Sequence, residues 1–371
     1  DLATHEREVI STVSWIDAAQ RTRTIALSTN MSDWRNAVPD AAPPRLSGNW
    51  KNPQTLGVID LGAGLSATGV AVKNKIVFMT GTAASAAKDD FFVINATDGA
   101  HPTLAASIHI GPGSNAVATT GTFAFVANND SSNQLSIINI SVTSSPDNIK
   151  NFTLTGNTEE ALSIAVTNTL VLVGTEEDDG TELFLIDVTN KTIPEIKGAL
   201  DIGGNVNRIA ILGNTAFLGT SSSTGEFVVV DISIPGNPII VASVNLPGSA
   251  EAIGLYVNDQ DGRAYVTRKN AAGTSPEINI YDISNPNAPL FLGSKEFSND
   301  IPAVFAADTL MFLGTTVSNL EFQIFDATNT QALTYYSGLN FPQMASDIAF
   351  EDNILYTAVR SNDALRIITS Q

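Results

Sequence analysis

His5, His101 and His109 are the only histidines of the chain, and none has a second ligand at the short spacing of a zinc or copper site. His101 precedes Pro102 in a turn and His109 lies in a strand-like run, so both read as structural. There is no Gly-x-Ser-x-Gly elbow, no glycine-rich phosphate loop ahead of a helix and no His-Glu-x-x-His pair. With no nucleophile nominated, the expectation is a protein that is not an enzyme. Acidic loops are better candidates for chemistry. In Asn258-Asp259-Gln260-Asp261-Gly262, Asp259 and Asp261 have the alternating oxygens and the glycine that open a calcium loop, without the downstream glutamate that completes one. They stand as a candidate metal site beside the plainer reading of a solvated hairpin turn. No cofactor is expected, with calcium as the open alternative.

A second set of polar residues recurs with a period. Apolar runs close on Asn or Asp followed by a small or branched residue and then Ser or Thr, as in Leu185-Ile186-Asp187-Val188-Thr189 and Ile280-Tyr281-Asp282-Ile283-Ser284. The markers are Asn95, Asn139, Asp187, Asp231, Asp282 and Asp326, with a degraded seventh copy at Thr369, and their successive spacings are 44, 48, 44, 51, 44 and 43 residues. A ring of carboxylates is one reading of this series. The simpler one is that each side chain accepts hydrogen bonds from the amides of the turn that follows it.

That period is the length of a four-stranded propeller blade. Upstream of each marker lie two apolar runs joined by turn residues, such as Gly69-Val70-Ala71-Val72, then Lys73-Asn74-Lys75, then Ile76-Val77-Phe78-Met79. The marker run is the third strand, and a polar turn leads to a fourth, such as Leu290-Phe291-Leu292-Gly293. The expected fold is therefore all-β, a seven-bladed β-propeller of four-stranded blades. The last blade lacks a fourth strand within its own repeat, and residues 55–61 are expected to supply it by pairing with residues 363–369, closing the ring. The domains expected are 1–53, a helix and irregular strap, and 54–371, the propeller.

Propellers place ligands near the central channel, on loops entering the innermost strands. In repeat register those loops carry Glu160, Arg208, Glu251, Asp300 and Asp347, which are the candidate ligand-binding residues at the channel mouth. A protein or surface glycan is the expected class of ligand.

The marker strands, second strands such as Ala264-Tyr265-Val266-Thr267, and the turn Asp282-Ile283-Ser284-Asn285-Pro286-Asn287-Ala288-Pro289 resemble the LVIVD-repeat propellers of prokaryotic envelope proteins. The resemblance covers roughly residues 54–371. It implies the propeller fold and an extracellular or cell-surface location, and it is nearly silent on activity.

Residues 3–29 combine Glu6, Arg7, Glu8, Arg21 and Arg23 with apolar Val9, Val13 and Ile16 at roughly helical spacing. They are expected to form an amphipathic helix, with Val9, Val13 and Ile16 as its assembly face. The helix weakly resembles the end of a type IV pilin or pseudopilin stalk. That resemblance implies membrane or filament attachment through an upstream helix, and a homo-oligomer or filament. The alternative is a helix that caps the ring. Residues 30–52 read as a strap on the propeller, with Trp34 and Trp50 packed against blades.

Composition sets the outer limits. A net charge of −19, from 38 acidic against 19 basic residues, repels phosphate backbones and anionic headgroups, so nucleic acid is excluded as a partner. With no cysteine, packing rather than disulfides must hold the fold. No run approaches the length of a membrane span, and since the chain begins at Asp1, a signal or anchor is expected upstream. Three functions are ranked in order: an extracytoplasmic, non-catalytic binding or display module, with adhesion as its role and the head of a pilin-like filament subunit as its setting; a calcium-dependent propeller hydrolase or lactonase; and an intracellular scaffold.

Overall fold

Short apolar runs broken by Gly, Asn and Pro yield short antiparallel strands, and the computed structural model arranges them as seven sheets of four strands. It describes residues 6–16, 22–32, 45–83, 88–178, 180–270 and 275–371, which fall into two compact units, Asp1–Ala42 and Pro43–Gln371. The first blade consists of Leu65–Lys73, Ile76–Ala83, Phe91–Asn95 and Thr103–Ile108, paired in that order. The next five repeat the arrangement from innermost strands Ser114–Thr119, Ala161–Val166, Val206–Leu212, Ala252–Asn258 and Ala303–Ala307. The seventh contains Ala345–Glu351, Ile354–Val359 and Leu365–Thr369, completed by Gln54–Ile59. Pairing of Gln54 with Thr369 and of Ile59 with Leu365 closes the ring as expected. Neighbouring innermost strands touch around the whole circle, the seventh returning to the first.

Third strands show why the repeat is legible. In the first six blades every residue before the marker is buried and the marker itself is half-buried, because adjacent blades cover both faces. Between the second and third blades, for example, Phe125, Ile137, Val173 and Phe184 share one apolar cluster. The markers form the expected turns. Asn95 and Asn139 accept from the amides of Thr97 and Ser141 at 3.0 Å, and Asp187, Asp231, Asp282 and Asp326 accept from the amide two residues on at 2.8 Å.

A second periodic contact was not read from the sequence. Five residues before each of the six markers stands Asp90, Gln134, Glu182, Glu226, Glu277 or Glu321, all buried. Each accepts from a backbone amide twenty residues downstream, at the end of its blade's fourth strand: Ile110, Leu154, Ile202, Leu246, Phe297 and Phe341. A buried acceptor thus ties the outer edge of each of these blades to its third strand, satisfying an amide that the ladder leaves over.

The N-terminal expectation is corrected. Glu6–Ile16 and Thr22–Ser32 are strands in an antiparallel pair running from Glu6↔Ser32 to Ile16↔Thr22, not an amphipathic helix. Five of the eleven residues in the first strand are β-branched, which favours extended backbone. Val9 and Val13 are four apart and share a face in a helix and in a strand alike, whereas Ile16 falls on the other face of a strand. The assembly face and the pilin-like stalk built on that helix lose their basis. Trp34 lies outside the described residues. Trp50 is buried at 3% exposure, meets Phe312 edge-on at 5.0 Å, and accepts from the Ser337 hydroxyl through its carbonyl at 2.7 Å. Residues 45–53 pack with the propeller, where Asn49 also bonds the backbone of Gln371.

Candidate functional site

Each innermost strand enters the ring through an irregularity. Bulges put one extra residue between Ala67 and Gly69, Ser114 and Ala116, Ala161 and Ser163, Val206 and Arg208, Ala252 and Gly254, and Ala345 and Asp347. The sixth blade has Pro302 just ahead of its strand at the same station, where a missing amide costs no ladder bond. The seven residues so placed all line one cavity of about 260 Å³ on the ring axis. Several are stitched to the next blade. Thr68 donates to the carbonyl of Ser114 at 2.5 Å, Asn115 to Ala161 at 2.9 Å, Asn207 to Ala252 at 2.9 Å and Ser346 to Ala67 at 2.8 Å.

One step along each strand the register reads Gly69, Ala116, Ser163, Arg208, Gly254, Ala303 and Asp347. Arg208 is the one long side chain of this series. From the fourth blade its guanidinium donates to the carbonyls of Pro302 at 3.2 Å and Ser346 at 3.1 Å, on the sixth and seventh blades. A deeper cavity of about 140 Å³ holds Asp347 and shares Asn115, Arg208 and Pro302 with the outer one, so Arg208 stands between the two. Asp347 accepts from the amides of Val70 and Ile348 at 3.0 Å each. Burial in the channel wall raises its carboxyl above the usual range, against the lowering effect of Arg208.

The remaining sequence candidates occupy the rim. Asp300 lines the outer cavity and accepts from the Asn270 amide at 2.8 Å. Glu251 is outside the lining and pairs with Lys269 at 3.0 Å. Glu160, also outside it, faces Glu176, Glu159 and Asp130, and desolvation together with these like charges raises its carboxyl. The rim is therefore acidic at the third blade.

Sequence reasoning missed Lys269 and Arg360, which line the outer cavity. Both follow a second strand, and their amides bond the carbonyls of Glu251 and Met344. Scanning that station, rather than only the loops entering the innermost strands, would have found them. The guanidinium of Arg360 is exposed through the opening, yet the funnel removes enough water, and Arg208 adds enough like charge, to lower its pKa.

The other candidates hold local structure. Asp261 bonds the hydroxyl of Tyr265 at 3.0 Å and the Arg263 amide at 3.2 Å, and Asp259 accepts from Gln260 at 2.8 Å. Among the described residues no three His, Asp or Glu side chains are grouped to hold a metal. His101 contacts Asp98 at 3.0 Å and His109 the Lys88 carbonyl at 2.9 Å.

Comparison with known proteins follows this geometry. The LVIVD repeat model matches residues 113–153 and 203–246. Those spans run from innermost to fourth strand of the second and fourth blades. The chain is a seven-bladed propeller with LVIVD repeats. Among solved structures, the propeller is similar to the β-propeller domain of Myceliophteria thermophila Cps50 (Swd1), at TM-score 0.67 and 10% identity over 86% of this chain and 100% of that one. A chain of a mitotic checkpoint complex matches at TM-score 0.61 and 13% identity, covering 90% and 96%. The computationally designed Ika8 protein matches at 0.56 and 14%, covering 85% and 99%. At these identities the likeness is one of fold. No curated protein matches the chain.

Proposed function

We propose that this LVIVD-repeat propeller is an extracytoplasmic, non-catalytic binding and display module whose recognition surface is the channel mouth, with a protein or surface glycan as ligand. The observation that carries this reading is a contrast between stations of the repeat. Where the fold needs one chemistry, the blades agree: six buried acceptors brace the third strands and six Asx markers close them. At the mouth they disagree. The six bulge residues are Thr68, Asn115, Leu162, Asn207, Ile253 and Ser346, Pro302 stands at the same station of the sixth blade, and the next station holds a single Arg and a single Asp. Positions at which side chains of different chemistry meet the same backbone are those at which a rigid ring can carry a specific recognition surface. An adhesive role at the cell surface fits the acidic composition and the repeat. The filament role has no helix to support it, and the calcium-dependent hydrolase would need ligands gathered from Glu160, Glu251, Asp300 and Asp347, of which Glu251, Asp300 and Asp347 already have partners.

The test has two parts. Protease shaving of intact native cells should remove the protein. The purified full chain, screened against surface glycans and envelope peptides, should give ligands whose binding falls when Glu160, Arg208, Glu251, Asp300 and Asp347 are replaced by alanine. Binding that survives those replacements places recognition elsewhere on the ring.

A further inference from the structure

The channel mouth runs against the electrostatics of the chain. In a protein of net charge −19, the 260 Å³ cavity is lined by Arg208, Lys269 and Arg360, with Asp300 as its one carboxylate. Lys269 is paired with Glu251, and Asp300 is engaged by the Asn270 amide. Arg208 feels the Asp347 carboxylate of the deeper cavity without a direct ion pair to it, and Arg360 has no such partner among the described residues. Arg208 donates only to carbonyl oxygens, those of Asn207, Pro302 and Ser346, and among the described residues the Arg360 guanidinium has no hydrogen bond or ion pair. Distant surface carboxylates do not neutralise them, because screening at physiological salt cuts the interaction off at about 8 Å.

Neutral groups of the cavity are already committed as well. The donors of Thr68, Asn115, Asn207 and Ser346 bind neighbouring carbonyls, which leaves guanidinium N–H groups as the ready donors facing the opening. Desolvation in the funnel and then the like charge of Arg208 lower the pKa of Arg360, so two cations repel at one cavity. A bound anion relieves that repulsion and accepts bidentate hydrogen bonds from either fork.

We propose that Arg208 and Arg360 form an oxyanion site at the channel mouth that takes a small multivalent carboxylate or phosphate. The inference rests on the mouth being the recognition surface and names the chemistry it recognises. A cavity of this size admits a compact ligand, or one charged group of a larger glycan, rather than a polymer.

Calorimetric titration of the full chain with citrate, and separately with inorganic phosphate, at low ionic strength against a chloride control tests this. Saturable binding is expected for at least one of the two, and which one identifies the group recognised. Arg360→Gln removes an exposed, unbonded side chain and should fold normally while weakening that binding at least tenfold. Arg360→Lys should retain part of it, and Arg208→Gln should weaken it as well. Binding no greater than that of chloride, or binding unchanged in all three variants, overturns the inference. If no anion binds but the alanine replacements still abolish capture of a glycan or peptide, the oxyanion site fails and the mouth stands; if both fail, so does the recognition surface.

Discussion

The Leu246 amide donates to Oε2 of Glu226 at 2.7 Å across twenty residues of chain, and the same carboxylate lies 3.7 Å from the fully buried guanidinium of Arg268. Glu226 therefore does two jobs that Glu321 does not combine, since among the described residues the Glu321 carboxylate binds the amides of Phe341 and Asn319 and no cation. Glu321→Ala strands buried amides and should cost about 1–3 kcal/mol. Glu226→Ala also leaves the buried Arg268 with carbonyls and the charge of Glu277 in place of its direct ion pair, and should cost more, about 3–5 kcal/mol. Urea unfolding of the two variants decides: equal losses would mean that the Glu226–Arg268 contact contributes nothing.

The Asx markers predict a pH dependence of one sign. The hydroxyl and amide of Thr189 hold the Asp187 carboxyl below its usual range. A depressed folded pKa contributes stability that is present above the unfolded value of about 3.9 and is lost as pH falls through the folded value. Asn95 and Asn139 make the same turn without a charge, so Asp187→Asn should fold and lose this dependence. The advantage of the native chain over the variant should shrink on acidification from pH 6 to pH 3. A constant difference would rule the carboxylate out as its source.

Asp90 predicts the opposite sign. Burial raises its carboxyl despite the amides of Ile110 and Gly111 and the nearby His109. Its ionised form is the penalised one, so protonation favours the folded state over a window that opens just above the raised folded value and closes near about 3.9. Relative to Asp90→Asn, the native chain should gain stability on acidification through that window. Denaturant midpoints of the Asp90 and Asp187 pairs should diverge in opposite directions.

Trp50 offers a packing test outside the repeat. Its ring is buried against Phe312, while its indole nitrogen finds no hydrogen-bond partner among the described residues. Trp50→Ala should cost about 3–5 kcal/mol. Trp50→Phe removes an unpaired N–H along with some area and should stay within about 1 kcal/mol of the native chain. Comparable losses in the two would show that the indole nitrogen is satisfied.

What the sequence revealed and hid follows from which contacts are local. The marker turn closes within two residues, so Asp231-Ile232-Ser233 announces itself in every blade that keeps it. The brace from Glu182 to Ile202 has an equally regular spacing, but a lone acidic residue before an apolar run reads as a strand boundary until its partner amide is seen. Val9 and Val13 fit two periodicities at once, so the sequence of the N-terminal hairpin reads equally as a helix. Arg208 could be placed at the mouth by register, but its reach to Ser346 exists only because the ring closes.

Ring closure can itself be tested at one atom. In the closing strand, the place a Cβ would occupy on Gly57 meets the carbonyl of Gly99, and in the third blade the same is true of Gly198 and the carbonyl of Pro235. Backbone oxygens cannot swing aside as a side chain would, so Gly198→Ala should cost about 1–3 kcal/mol. Gly57→Ala should cost the same if residues 54–59 pack as a true fourth strand. Were that segment only loosely attached, Gly57→Ala would instead be neutral or slightly stabilising, since alanine reduces the freedom of the unfolded chain. Thermal unfolding of the two variants side by side therefore reads out whether the seventh blade is as firmly completed by the N-terminal strand as the third is by its own.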